Sequence, residues 1–294
     1  MLSFLTEARR CTMERKKGYV KEFTAALELA REAGDEIMRI YRTGFEAETK
    51  ADGTAVTIAD RRANEIILEG LVKRFPKDGI VSEELGRVDS ANNRFWYVDP
   101  IDGTSGFVKR RGDFAIHIGL AVDSHPLLGV VYQPVTRDIY YAVKGEGAYH
   151  IDACGAELPL AVDAADHGPV AVLEHDARAH DDYIHAITLL GLDSVIQSGS
   201  QGLRMMYVAR GEANLHFLIN HRAGTWDTCA PQAIVEEAGG FVRFIDGSPM
   251  TYHGQRSWSG KAFVVAGSEQ LLLRTINIFS TVRWEEGHAH GKVK

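Results

Sequence analysis

At 294 residues, 45% hydrophobic and 25% charged, the chain has ordinary globular composition and enough apolar material to fold without a disulfide or metal staple. A formal net charge of −7 excludes a protein that coats nucleic acid by bulk electrostatics, although cations or helix N-termini can still hold a small polyanion locally. Three cysteines, Cys11, Cys154 and Cys229, lack CxxC spacing and argue against a disulfide framework or a thiolate zinc site.

A reducing cytoplasm fits that cysteine usage, and no apolar run reaches membrane-spanning length. Residues 1–17 carry Arg9, Arg10, Arg15, Lys16 and Lys17 without a signal-peptide apolar region, while Glu7 and Glu14 count against a transit peptide. The expectation there is a disordered extension, or a misplaced start with Met13 as the true one.

From Lys21 to Arg42, Phe23, Leu27, Ala30, Ile37 and Tyr41 recur at helical spacing, and Thr43-Gly44 supplies a stop. A second helix is predicted over Ala59–Phe75, ended by Pro76 and Gly79. Short strands at Ile80–Ser82 and Phe95–Val98 each run directly into acidic residues. Phe114–Val122, Leu127–Tyr132 and Ile139–Val143 read as an antiparallel meander. Beyond Gly147 the pattern alternates. Strands are predicted at Val170–Leu173, Val195–Gln197, Ala213–Leu218, Phe241–Phe244 and Ala262–Ala266. Helices are predicted at His180–Leu190, Leu203–Arg210, Trp226–Ala238 and from Ser268. Helices on two sheets make a layered α+β architecture, and a composition shift near residue 150 divides it into halves 18–150 and 151–294.

The chemistry concentrates in Trp96-Tyr-Val-Asp99-Pro-Ile-Asp102-Gly-Thr104. A strand delivers Asp99, Pro100 restricts φ, and Asp102-Gly103 turns the chain, so both carboxylates can converge. Convergent like charges are unfavourable unless a cation sits between them, and a hard cation such as Mg²⁺ takes oxygen ligands. Taken alone, the same residues also make a plain surface turn. Glu83-Glu84, following a predicted strand, is either at the same sheet edge or a solvated face. Asp227 is either a ligand or a simple helix cap.

In order, Asp60, Glu83-Glu84, Asp99-Pro-Ile-Asp102-Gly-Thr104 and Trp226-Asp227-Thr-Cys-Ala resemble the pattern of the inositol-monophosphatase superfamily, the lithium-sensitive phosphatases. Val56-Thr57-Ile-Ala-Asp60 and Ile234-Val-Glu-Glu-Ala-Gly-Gly240 extend the agreement. The resemblance implies a layered α-β-α-β-α sandwich with two or three Mg²⁺ ions at the junction of its halves. It assigns Glu83, Asp99, the Ile101 carbonyl, Asp102 and Asp227 as metal ligands, with Asp99 bridging two ions. Thr104 and Glu83, with Asp60 nearby, would orient and deprotonate the attacking water. Amides of Gly103, Thr104 and Ser105 would hold the phosphate. Two cations about 3.5–4 Å apart would neutralise both the incoming and the leaving oxygen of an in-line displacement. Lithium inhibition and a homodimer are further expectations from the family.

Within the superfamily, Val81-Ser-Glu-Glu84, Gly106-Phe-Val-Lys109-Arg110 and Trp226-Asp-Thr-Cys-Ala-Pro231 lean toward the 3′(2′),5′-bisphosphate nucleotidases. Gly199-Ser200-Gln-Gly202-Leu-Arg204 is similar to a segment of those enzymes that ends in Lys; here Arg204 keeps the cation but changes its geometry. Asn220 stands seven residues before Asp227, where inositol phosphatases place an acid that reads inositol hydroxyls. The substrate set is therefore Gly103, Thr104, Ser105, Gly199, Ser200, Arg204 and Asn220, and the partner is a small phosphorylated molecule, neither a nucleic-acid polymer nor a membrane.

Inositol-1-monophosphatase or sugar-phosphate phosphatase activity is the alternative. A catalytically weak regulatory homologue is another, against which the intact carboxylates and Thr104 weigh. Arg204 reads equally as a salt-bridge partner, and Lys109, Arg110 and Arg111 as a solvated loop or a phosphate clamp. Cys229 is expected as a small buried residue, His117 as a structural histidine, and His288 and His290 as parts of a disordered tail.

Overall fold

Helix α1 (Val20–Thr43) presents Phe23, Ala26, Ala30, Ala33, Ile37 and Ile40 on one buried face, and Gly44, at φ 96°, ends it. Helix α2 (Ile58–Arg74) starts at a capping box: Thr57 Oγ1 accepts from the Ala59 amide, while Asp60 Oδ2 accepts from the Thr57 amide at 2.8 Å. Both helices lie within one residue of the ends predicted for them. The computed structural model describes residues 18–49, 55–165, 168–192, 194–219, 223–258 and 261–281. The expected extension over 1–17, Asn220 and the tail with His288 and His290 lie outside the described residues.

After the short antiparallel pair β1 (Ala47–Thr49) and β2 (Ala55–Thr57), an eight-stranded sheet forms. Its strands are β3 (Gly79–Ser82), β4 (Gly86–Val88), β5 (Arg94–Asp102), β6 (Ala115–Val122), β7 (His125–Gln133), β8 (Asp138–Val143), β9 (Ala148–Ile151) and β10 (Glu157–Pro159). Their order is β10-β9-β8-β7-β6-β5-β3-β4, antiparallel except for β3 beside β5, so the predicted meander is present. Helix α3 (Thr104–Val108) follows β5.

The second sheet has five strands, in the order β12-β11-β13-β15-β14. They are β11 (Val170–Leu173), β12 (Ser194–Gln197), β13 (Leu215–Leu218), β14 (Phe241–Phe244) and β15 (Phe263–Ala266). Helices α4 (Asp181–Leu190) and α7 (Glu269–Ser280) cover its outer face, where Tyr183, Leu190, Phe217, Leu271 and Phe279 pack. Between the sheets lie α5 (Gln201–Ala209) and α6 (Cys229–Glu237), in one apolar layer containing Met205, Met206, Ile234 and Val235. With α1 and α2 on the far side of the first sheet, around Leu29, Ile67, Trp96 and Ile118, the order is α-β-α-β-α, as expected.

Several boundaries differ from the sequence reading, three of them around the division and the site. The first sheet continues to Pro159, so its last strand lies beyond the division placed at 150. Helix α5 begins at Gln201 rather than Leu203, because Ser200 Oγ caps it by accepting from the Leu203 amide at 3.0 Å. Helix α6 begins at Cys229 rather than Trp226: the Asp227 carboxylate accepts from the Gly224 amide at 2.5 Å, folding residues 224–228 into a turn first. Asp227 is therefore not that helix's N-cap.

Candidate active site

Strand β5 ends with an irregularity that decides where its two aspartates point. Asp99 pairs with His117 and Asp102 with Ala115, three steps on one strand against two on its neighbour. Residues three apart in a regular strand face opposite sides of the sheet. The extra residue restores a common side, and Pro100, which has no amide for the ladder, fits such a position.

Asp227 arrives from the other half. The cross-strand pair Gly119 and Gly129 lets the start of α6 lie directly on the sheet. A Cβ at Gly129 would stand 2.2 Å from the Ala230 carbonyl oxygen, and one at Gly119 2.7 Å from the Ala230 amide. This close approach places the turn before α6 above β5. One carboxylate oxygen each from Asp99, Asp102 and Asp227 then fall within 4.8 Å of one another.

The cluster is electrostatically strained. Asp99 is 1% exposed; burial, and then the charges of Glu83, Asp227 and Asp102, push its carboxyl well above the usual range. Asp227 is pushed up as well, by burial and by the charges of Asp102 and Glu83. Glu83, half-buried after β3, thus bears on both aspartates. A proton on Asp99 or Asp227 would relieve part of the repulsion, and a divalent cation would relieve more of it. The clustered donors are carboxylate oxygens, the chemistry of Mg²⁺, Ca²⁺ or Mn²⁺ and not of a thiolate site. The residues present fit a hard divalent cation.

Asp102 behaves differently. Burial raises its carboxyl, but His117 and hydrogen bonds from Ser200 and Gly202 outweigh that and hold it below the ordinary value. Its Oδ2 accepts from the Ser200 hydroxyl and from the Gly202 amide at 2.7 Å. His117 Nε2 lies 3.2 Å from the same oxygen, although neither ring nitrogen is aligned for a hydrogen bond. The ring is fully buried, in space left by Gly202, where a Cβ would approach Nε2 to 2.0 Å. His117, expected as a satisfied structural histidine, has no hydrogen-bond partner for either ring nitrogen among the described residues and stands beside Asp102.

A second set of bonds runs beneath the turn. Thr104 Oγ1 is 3.1 Å from the Ile101 carbonyl and 3.3 Å from Asp60 Oδ1, with both oxygens as acceptors for its proton. Asp60 is fully buried, and its other oxygen is held by Thr57 Oγ1 at 2.7 Å. The Ile101 amide donates to Asp99 Oδ1 at 3.0 Å, tying the bulge to the aspartate beside it. Gly103, at φ 88°, makes the left-handed turn into α3, and the Thr104 and Ser105 amides stand in the first turn of that helix, without intrahelical acceptors.

The remaining candidates are distributed unevenly. Gly199 and Ser200 reach the site through Asp102 and α5. Arg204 is 5% exposed, and its guanidinium donates to the carbonyls of Ser198 and Gly199 and to Gln201 Oε1. A direct clamp on a second phosphate would have to use the guanidinium donors those bonds leave over, Nε among them, or break the bonds. Arg110 donates to the Tyr41 carbonyl and stacks on the Tyr41 and Phe45 rings, so one member of the basic cluster is structural. Cys229 is buried as expected. Sequence reasoning missed Asp113, which accepts from the Gly199 amide at 2.7 Å; its only local signal is its place between Gly112 and Phe114 at the opening of β6.

A sequence model described as the Inositol monophosphatase family matches residues 20–278. The chain belongs to the inositol monophosphatase family. This family member is 35% identical over 243 residues to the 3′(2′),5′-bisphosphate nucleotidase CysQ of Salmonella typhimurium, covering 81% of this chain and 96% of the relative. The Escherichia coli K12 protein of the same name is 34% identical over 244 residues, covering 81% and 97%. Among solved structures, the extragenic suppressor protein suhB from Bartonella henselae superposes with a TM-score of 0.76 at 24% identity, over 90% of this chain and 100% of that one, a likeness of fold. Membership makes the chain a phosphatase, a phosphoric monoester hydrolase. No helix among the described residues is long and apolar enough to cross a membrane.

Proposed function

We propose that this phosphatase is a Mg²⁺-dependent 3′(2′),5′-bisphosphate nucleotidase that converts adenosine 3′,5′-bisphosphate to AMP and phosphate. The observation that carries the hydrolytic part is the convergence of Asp99, Asp102 and Asp227 on one buried point, from segments more than a hundred residues apart. The nucleotide preference is supported by the likeness to the CysQ proteins over nearly their whole length.

In this reading Glu83, Asp99, the Ile101 carbonyl, Asp102 and Asp227 hold the cations. When bound, Mg²⁺ lowers the pKa of a water and offsets the charge that develops on the phosphoryl oxygens. The chain's own residues do the rest. Thr104 Oγ1 directs its proton to Asp60 Oδ1 or the Ile101 carbonyl, so its lone pairs are free to accept a hydrogen bond from the attacking water. Glu83 and Asp60 stand as the proton acceptors of that arrangement, Asp60 through Thr104. First-turn amides at Gly103, Thr104 and Ser105 present donors to the phosphate, while Gly199 and Ser200 form the facing wall from the other half. The cytoplasm is the compartment that the cysteine usage favours.

The test is phosphate release from adenosine 3′,5′-bisphosphate, inositol 1-phosphate and fructose 1,6-bisphosphate, each with Mg²⁺ and with EDTA. Turnover of the bisphosphonucleotide well above the other two, lost in EDTA, is the expected result. Preference for inositol 1-phosphate overturns the substrate assignment, and EDTA-resistant turnover overturns the metal.

A further inference from the structure

Asp113 lies outside the metal cluster, yet three glycines are bare on the side facing it. A Cβ at Gly106 would come within 2.2 Å of its Oδ1, one at Gly199 within 2.8 Å of its Oδ2, and one at Gly103 within 2.9 Å of its carbonyl oxygen. Gly103 makes the turn that follows Asp102 and Gly106 lies in α3 behind it, whereas Gly199 belongs to the loop before α5 in the other half. Asp113 Oδ2 accepts from the Gly199 amide at 2.7 Å and lies 2.5 Å from His175 Nε2, and Arg111 Nε lies 3.4 Å from Oδ1. The residue after Gly199 is Ser200, whose hydroxyl donates to Asp102 Oδ2. Arg204 also holds the Ser198 and Gly199 carbonyls, so the segment cannot tilt without breaking bonds to both Asp113 and Arg204.

We propose that Asp113 is a positioning residue of this active site: by anchoring Gly199 it sets Ser200 on Asp102, and so fixes the carboxylate that shares a divalent cation with Asp99 and Asp227. Partners that orient a metal ligand shape its affinity without touching the ion, typically by 10–100-fold. Burial raises the Asp113 carboxyl, but the bonds from His175 and Gly199 outweigh it and keep the group below its ordinary value, as a permanently charged anchor requires. The inference rests on the divalent-cation reading of the site.

Mg²⁺ binding to the full chain is measured by titration calorimetry for wild type, Asp113→Ala, Asp113→Asn, Ser200→Ala and the Asp113→Ala/Ser200→Ala double variant. Leu272→Ala, buried in α7 far from the cluster, controls for lost stability. Asp113→Ala is expected to weaken Mg²⁺ about 10–100-fold. Asp113→Asn, whose side-chain oxygen can still accept from Gly199, is expected to lose less. The double variant is expected to bind about as weakly as the worse single one, because both residues act through one chain of bonds. In turnover by Asp113→Ala, the Mg²⁺ concentration for half-activation rises while kcat at saturating Mg²⁺ stays near wild type. If Asp113→Ala melts early, as Leu272→Ala does, yet binds Mg²⁺ like wild type, the role of Asp113 is refuted. Additive losses in the double variant refute it too. If Asp113→Ala does not fold, undiminished binding in both Asp113→Asn and Ser200→Ala overturns the proposal. A wild type that binds no Mg²⁺ overturns the cation reading itself, a separate outcome.

Discussion

Replacing Asp99 with Asn removes one charge from a cluster that has more negative charge than its surroundings can balance. The substitution keeps the side-chain oxygen that accepts from the Ile101 amide at 3.0 Å, so the bulge retains its local bond. With oxygens within 4.8 Å, two full charges repel by about 3 kcal/mol at an effective dielectric of about 20. Protonation limits how much of that strain the folded protein carries. Forcing a proton onto an ordinary carboxyl at pH 7 takes about 4 kcal/mol, which is the ceiling for this residue. A gain of about 2–4 kcal/mol is therefore expected for Asp99→Asn in EDTA, or about 4–8 °C in Tm at roughly 2 °C per kcal/mol for a chain of this size.

The sign of the pH dependence follows from the raised carboxyl. Between the unfolded and folded pKa the native state binds more protons than the unfolded one, so wild-type stability in EDTA falls as pH rises through that window. The slope is expected to be shallower in Asp99→Asn. Mg²⁺ narrows the gap: at a hundred times its Kd it stabilises wild type by about 2.7 kcal/mol and the variant hardly at all. Differential scanning fluorimetry from pH 5 to 9, in EDTA and in Mg²⁺, reads both effects. A variant that melts below wild type in EDTA and responds equally to Mg²⁺ would refute the idea of a strained cation cage.

Asp102→Asn and Asp227→Asn should each reduce phosphate release by at least about a thousandfold while far-UV circular dichroism stays native; activity within tenfold of wild type removes that residue from the ligand set. Thr104→Val, which removes the hydroxyl between Asp60 and Ile101, should lower kcat by about 10²–10⁴ with little change in KM, and a change confined to KM would make Thr104 a binding residue only. Gly129→Ala should destabilise by about 1–3 kcal/mol and also weaken Mg²⁺ binding, because its Cβ would meet the Ala230 carbonyl at 2.2 Å and lift the turn that carries Asp227. A Gly129→Ala protein with wild-type Mg²⁺ affinity would separate α6 seating from the metal site.

The amphipathic spacing of α1 and α2 and the alternation of the meander were legible because local period alone specifies them. So was the chemical character of the site, since Asp99, Asp102 and Thr104 are close neighbours in the chain and their order with Glu83 and Asp227 resembles one family. Periodicity could not show that a bulge turns Asp99 and Asp102 to one side, because nothing in the hydrophobic pattern marks an extra residue opposite Ala115. Helix α6 was placed three residues early for a related reason: Asp227 bonds back to Gly224 rather than forward into the helix.

What the amino-acid order determined by itself is the inventory: which side chains can ligate a hard cation, which segments are helix or strand, and that two sheets must be covered by helices. Only the tertiary structure decided that Asp227 comes down onto β5 over Gly119 and Gly129, that His117 stands beside Asp102, and that Arg204 and Asp113 both hold the Gly199 loop. The physical reason is range. Backbone propensity acts over a few residues, whereas electrostatic repulsion, desolvation and the close seating of a helix on a sheet depend on which distant segments the fold brings within a few ångströms.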